Sequence, residues 1–217
     1  KNNRIALLVG VGNYKNEAAR LDGPTEDVSA LKKILIDKWG FTASNIQTLI
    51  DGQATQKNIL NALENLQKRS KAGDNVFIYF SGHGTSAKDT NFYDVARLLP
   101  HTSGAFIPVD FVLPQEGKKL SEQDLKSSLV VGKWHLQPII KELEKTRSVF
   151  VAIDTPYSGS FVAPDNYKNV VFLSASAEAE TASDMGKGEA YLTLDGKPHG
   201  AFTNALLKTM QGVEDAD

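Results

Sequence analysis

Ser148-Val149-Phe150-Val151-Ala152-Ile153-Asp154-Thr155-Pro156-Tyr157-Ser158-Gly159-Ser160 decides how the chain is read. The apolar run from Val149 to Ile153 is mostly β-branched or aromatic, as suits a strand covered on both faces. It stops at Asp154-Thr155-Pro156, where polar and turn-forming residues begin. The sequence therefore predicts a buried strand that delivers a site at its carboxyl end.

The same grammar recurs upstream. Asn75 to Phe80 is a buried-strand pattern that breaks at Ser81-Gly82-His83-Gly84, and Arg4 to Val9 is another that ends in Gly10-Val11-Gly12-Asn13-Tyr14. A short strand is expected at Ile46 to Ile50 and a further one at Val170 to Leu173. Between them lie amphipathic helical patterns. Thr25 to Trp39 carries Val28, Leu31, Ile34 and Leu35 at helical spacing, with Glu26 and Asp27 where acidic residues suit the helix dipole. Thr55 to Arg69 and Leu136 to Glu144 are two more, Ser121 to Asp124 fits a capping box, and Phe202 to Met210 forms a last helix. The proline-bearing section from Thr85 to Lys119 reads as loops with one edge strand at Ala105 to Asp110. Ser174 to Asp184 is a small and acidic run, and Gly186 to Gly200 a glycine-containing stretch. Strands alternating with helices predict right-handed crossovers and an α/β fold with a mostly parallel central sheet and helices on both faces. Ligands of such sheets bind outside the carboxyl ends of the strands, where both punctuated ends would open.

Composition narrows the function. With 217 residues, 41% of them hydrophobic, the chain can bury a sizeable core, and residues 1–217 are expected to form a single domain. A net charge of −2 and a pI near 6.1 provide no basic field for nucleic acid. No apolar run approaches the roughly 20 residues that cross a bilayer. Beginning at Lys1, the chain reads as a trimmed or processed one, which leaves open a cytoplasmic location or export after signal-peptide removal. There is no cysteine, so disulfides, thiolate metal sites and thiol catalysis are excluded within it. Gly10 and Gly12 form only a fragment of a phosphate-loop pattern, without a third glycine in register or a Gly-Lys-Ser/Thr. A nucleotide-binding switch domain would rest on that fragment alone.

His83, between two glycines at a strand end, is the candidate chemical group. His101, His135 and His199 lack such surroundings and read as surface or packing residues. Phe80-Ser81-Gly82-His83-Gly84 followed by Asp154-x-x-Tyr157-Ser158-Gly159-Ser160 resembles the paired motifs of the caspase-like cysteine peptidases, and within them the metacaspase and prokaryotic orthocaspase branch. Ala6 to Tyr14, Leu21 to Asp27, Pro108 to Asp110, Leu173 to Ser176 and Gly200 to Thr203 fall in the same family order, so the resemblance spans nearly the whole chain.

That resemblance implies a caspase-like sandwich with His83 as general base and the amide of Gly84 in the oxyanion hole. It implies a pocket for an Arg or Lys side chain built from Asp27, Ser81 and Asp154, as two carboxylates suit a guanidinium. The family's second motif reads Asp-x-Cys-Tyr/His-Ser-Gly, and its nucleophile position is Pro156 here. Proline has no thiol and no N–H, so both the nucleophile and an oxyanion donor are lost. One such donor is worth on the order of 10²–10³ in rate. Neither Thr155 nor Ser158 stands at the nucleophile position. Asp89, Asp94 and Asp165 are scattered without a calcium-loop pattern, so no metal and no cofactor is expected. The first expectation is a pseudopeptidase that binds a peptide or protein through a basic residue. The second is an inactivated form of an Arg/Lys-specific cysteine endopeptidase.

Overall fold

The structure, a computed structural model, describes residues 1–113, 115–176, 184–185 and 193–212. Five strands make the central sheet: β1 (Arg4–Gly10), β2 (Ile46–Ile50), β3 (Asn75–Ser81), β7 (Ser148–Asp154) and β8 (Val170–Ser174), in the order β2-β1-β3-β7-β8 and parallel throughout. Alternation along each strand divides the core in two. Ile5, Leu7 and Val9 of β1, Val76, Ile78 and Phe80 of β3, and Val149, Val151 and Ile153 of β7 pack with Ile59, Leu63 and Leu66 of α2 (Gln56–Arg69) and Ile140 and Leu143 of α5 (Gln137–Leu143). Ala6, Leu8, Phe77, Tyr79 and Ala152 point the other way, onto Val28, Leu31 and Leu35 of α1 (Gly23–Lys38) and Leu206 and Leu207 of α6 (Ala201–Gln211). Both faces of the three inner strands are thus covered, which is why those strands read as unbroken apolar runs.

The elements follow local chemistry. Thr55 caps α2 by accepting from the Asn58 amide at 3.2 Å. Ser121 and Asp124 close the expected capping box on α4 (Glu122–Lys126). Pro24 sits in the first turn of α1, where its missing N–H costs nothing.

The section from Thr85 to Lys119 differs from its reading. The strand expected there is no edge. β5 (Gly104–Phe106) lies between β4 (Gly84–Ser86) and β6 (Val130–Val131) in a three-stranded antiparallel sheet, over a satellite core that includes Val95, Leu99, Leu125 and Leu129. Elements of two and three residues are too short to show a period in sequence. α3 (Tyr93–Ala96) is a single turn in the same section. The Ser174 to Asp184 run and the stretch beginning at Gly186 lie largely outside the described residues. Of these, β9 (Asp184–Met185) pairs antiparallel with β10 (His199–Gly200), directly before α6.

Candidate functional site

Register brings the punctuated ends together. Gly10 of β1 faces Ser81 of β3, and Ser81 faces Asp154 of β7, at the carboxyl edge of the sheet. The Gly82 amide donates to the Asp154 carbonyl at 3.3 Å. A Cβ added to Gly84 would stand 2.6 Å from the Pro156 carbonyl oxygen, so the segments after His83 and around Pro156 lie in direct contact.

His83 is half-buried and fixed from two sides. Its backbone amide donates to the Tyr14 hydroxyl at 2.9 Å, and Tyr14 donates in turn to the Ile107 carbonyl at 2.9 Å. Its Nε2 lies 2.6 Å from the Ala19 carbonyl oxygen, a partner that only accepts. The proton is therefore on Nε2 and the lone pair on Nδ1. Burial pushes the imidazole below its ordinary 6.5, against the opposing pull of the Ala19 carbonyl, so the neutral base form prevails at neutral pH. An apolar cavity of about 370 Å³ opens beside it, lined by Tyr14, Ala19, Phe92, Ile107 and Phe111 among others.

The other strand end is equally well built. Tyr157, next to Pro156, takes the left-handed φ of 58°, a conformation that a tyrosine holds only where its surroundings impose it. Its hydroxyl donates to Asp89 Oδ1 at 3.1 Å, and Thr85 donates to Asp89 Oδ2 at 2.8 Å, so Asp89 anchors the turn. The residue at the centre of the turn, Pro156, offers neither thiol nor amide. Ser158 is fully buried and exchanges hydrogen bonds with Ser176, 3.1 Å from the Ser176 amide to its Oγ. Thr155 is fully buried, its hydroxyl 3.1 Å from the Pro156 carbonyl. Neither is presented for attack on a substrate.

Asp27, Ser81 and Asp154 also converge. Ser81 Oγ donates to Asp27 Oδ2 at 2.8 Å, and both residues are buried. Asp154 Oδ2 accepts from the Thr203 hydroxyl at 2.6 Å and amide at 3.2 Å, at the start of α6. Asp27 lies in the first turns of α1 but does not serve the helix dipole: it points inward and is 0% exposed.

One reading requires correction. His199 is neither a surface nor a simple packing residue. It is 1% exposed, with Nδ1 2.8 Å from Asp27 Oδ1 and Nε2 2.8 Å from Asp195 Oδ1. Burial alone pushes its imidazole down, but the two carboxylates outweigh that and hold it above 6.5. Burial likewise lifts the Asp27 carboxyl above its usual range, in spite of its bonds from His199, Ser81 and Gly200. The glycine turn after β1 is no phosphate cradle. The Gly12 and Asn13 amides both donate to Asp51 Oδ1 at 2.9 Å, so a carboxylate of the chain itself fills the place an anion would take. The 3.6-residue and two-residue periods contain no trace of either contact. No helix among the described residues is long and apolar enough to cross a membrane.

The metacaspase, peptidase C14, domain family matches residues 4–164. Metacaspase-1B of Aspergillus oryzae is 35% identical over 96% of this chain and 60% of its own length. Metacaspase-7 of Arabidopsis thaliana is 44% identical over 37% of this chain and 21% of its own. The chain thus spans about a fifth of the plant relative and well under two thirds of the fungal one. A crystal structure of a Geobacter sulfurreducens protein superposes with a TM-score of 0.59 at 17% identity, covering 97% of this chain and 82% of that one, a likeness of fold.

Proposed function

Because the chain belongs to the metacaspase, peptidase C14, family, we propose that it is a caspase-fold pseudopeptidase, a pseudo-orthocaspase whose residues 1–217 act as one binding or regulatory domain. In this reading His83 occupies the base position, Gly84 supplies the surviving oxyanion amide, and Pro156 stands where the nucleophile would be. Asp27, Ser81 and Asp154 form a pocket for an arginine or lysine side chain of a peptide or protein partner.

The observation that carries the proposal is the identity of residue 156 within a site otherwise arranged for acyl transfer. A thiolate attacks the scissile carbonyl after the base takes its proton, and the tetrahedral oxyanion then needs two N–H donors. Pro156 removes the attacking atom and one donor together. The neighbouring hydroxyls do not compensate, since Thr155 and Ser158 are both fully buried. The base remains oriented through Ala19. That intact half favours a second reading, an inactivated form of an Arg/Lys-specific endopeptidase.

The direct test is turnover of fluorogenic peptides ending in arginine or lysine. The expected result is no hydrolysis above the buffer rate. Hydrolysis that disappears in His83→Ala would overturn the proposal, because it would mean that the base still serves a nucleophile.

A further inference from the structure

Two carboxylates buried at one edge of the sheet are an energetic problem. Asp27 is 0% exposed and Asp154 6% exposed, and a lone carboxylate at such depth costs several kcal/mol unless a cation or a full set of donors meets it. Asp27 meets a cation of the chain itself. His199 comes from β10, 172 residues away in sequence, and places Nδ1 2.8 Å from Asp27 Oδ1. The Gly200 amide adds a donor to the same oxygen at 3.2 Å. Gly200 also lies so close to the Asp154 carboxylate that a Cβ would overlap it, so this backbone fills the space between the two carboxylates.

We propose that His199 is an internal ligand of the acidic pocket, a built-in cation that keeps the pocket closed until a basic side chain of a partner displaces it. This rests on the reading of Asp27, Ser81 and Asp154 as a pocket for such a side chain.

The exchange is chemically matched. An imidazolium between Asp27 and Asp195 presents one N–H to each, and a guanidinium offers paired donors to the same kind of acceptor. Swapping one cation for the other never leaves Asp27 unpaired. On its outer side the segment carrying His199 meets α1 through an exposed ion pair, and a hydrogen bond closes the segment on itself. The Thr193 hydroxyl donates to the Lys197 carbonyl at 2.7 Å, and Lys197 reaches Glu26 of α1 at 3.5 Å with its side chain 58% exposed. Such contacts are individually weak, so the segment can lift without loss of the core.

The groups facing His199 are Asp27 of α1, Asp195 of its own segment and, across Gly200, Asp154 of β7. Glu26 and Lys197 form the outer pair. As pH rises and the imidazole loses its proton, the internal cation becomes a neutral competitor. The affinity for an external cation then increases.

The test is binding of an acetylated tripeptide amide ending in arginine to the intact chain, compared with the same peptide ending in neutral, isosteric citrulline. A pocket open in about a tenth of molecules weakens apparent affinity about tenfold. His199→Gln should therefore bind the arginine peptide about tenfold more tightly than the parent. Asp195→Asn, which alters only the half-exposed outer contact and leaves the core intact, should raise affinity about threefold. In the parent, affinity should climb as pH rises above about 6.5, and in His199→Gln it should be flat. Equal affinity in all three proteins overturns the internal-ligand proposal and leaves the acidic pocket standing. Arginine peptide bound by none of them, or citrulline bound as tightly as arginine, overturns the pocket itself and the internal ligand with it.

Discussion

At the end of β3, His83 is held by Tyr14 and Ala19 with its basic nitrogen free of the Ala19 contact. At the end of β7, Tyr157 is held by Asp89 in an uncommon backbone conformation around a residue that has nothing to react with. The two ends are neighbours in one sheet, matched in register and equally well supported. They differ in what they present, an imidazole at His83 and no reactive group at Pro156. Positioning and reactivity are therefore separable here: the scaffold that would aim a nucleophile is maintained by contacts that do not include the nucleophile.

If the two ends are structural equals, weakening the core beneath either one should cost about the same. Phe80 and Ile153 are 1% and 0% exposed at the last turns of β3 and β7. Phe80→Ala is expected to lower stability by about 3–5 kcal/mol and Ile153→Ala by about 2–5 kcal/mol in urea unfolding. A cost below about 1 kcal/mol at either end would break the symmetry.

Asp89→Ala sharpens the comparison by removing the anchor of the β7 end, which also holds Thr85 just past His83. It strands the Tyr157 and Thr85 hydroxyls and should cost about 1–3 kcal/mol. The Tyr157 ring should gain mobility in NMR spectra while His83 stays unchanged; a shifted His83 would mean that the two ends are coupled.

Asp51→Asn tests the third strand end, where one carboxylate holds the Gly12 and Asn13 amides. About 1 kcal/mol should be lost, and no phosphate affinity should appear in its place. Thermal stabilisation by millimolar nucleotide would contradict the assignment.

The smallest effect concerns His83 itself. Its folded pKa lies below the ordinary 6.5, so as pH falls the unfolded chain takes up the proton first. Stability should therefore decline from about pH 6.5 toward the lower folded value, and His83→Gln should lessen that decline. An unchanged acid limb would show that the imidazole is not held neutral by burial.

Much of this was legible in the chain itself. The runs at Arg4, Asn75 and Ser148 announce the inner strands because both faces are buried, and the breaks after Phe80 and Ile153 locate the site. What sequence periodicity cannot carry is contact between distant polar residues. His199 looked like a packing residue because its partner Asp27 is 172 positions away. The one available signal was the Gly200-Ala201-Phe202-Thr203 motif beside it, whose Thr203 holds Asp154. Asp89 lay in a polar loop, and its anchoring of Tyr157 depends on β4 and β5, which are too short to predict. Asp51 directly follows the Ile46 to Ile50 strand, and nothing local indicates that its carboxylate reaches back to Gly12.

The measurement that bears most directly on the central claim is hydrolysis of an arginine-ended reporter by Pro156→Cys beside the parent. That variant restores both the thiol and the amide at one position, while His83, Gly84 and the pocket are untouched. The account predicts cleavage on the order of 10³-fold above the parent, abolished by thiol reagents and by adding His83→Ala. A folded Pro156→Cys that cleaves no faster than the parent would contradict it, because the two strand ends would then not form a site that lacks only its nucleophile.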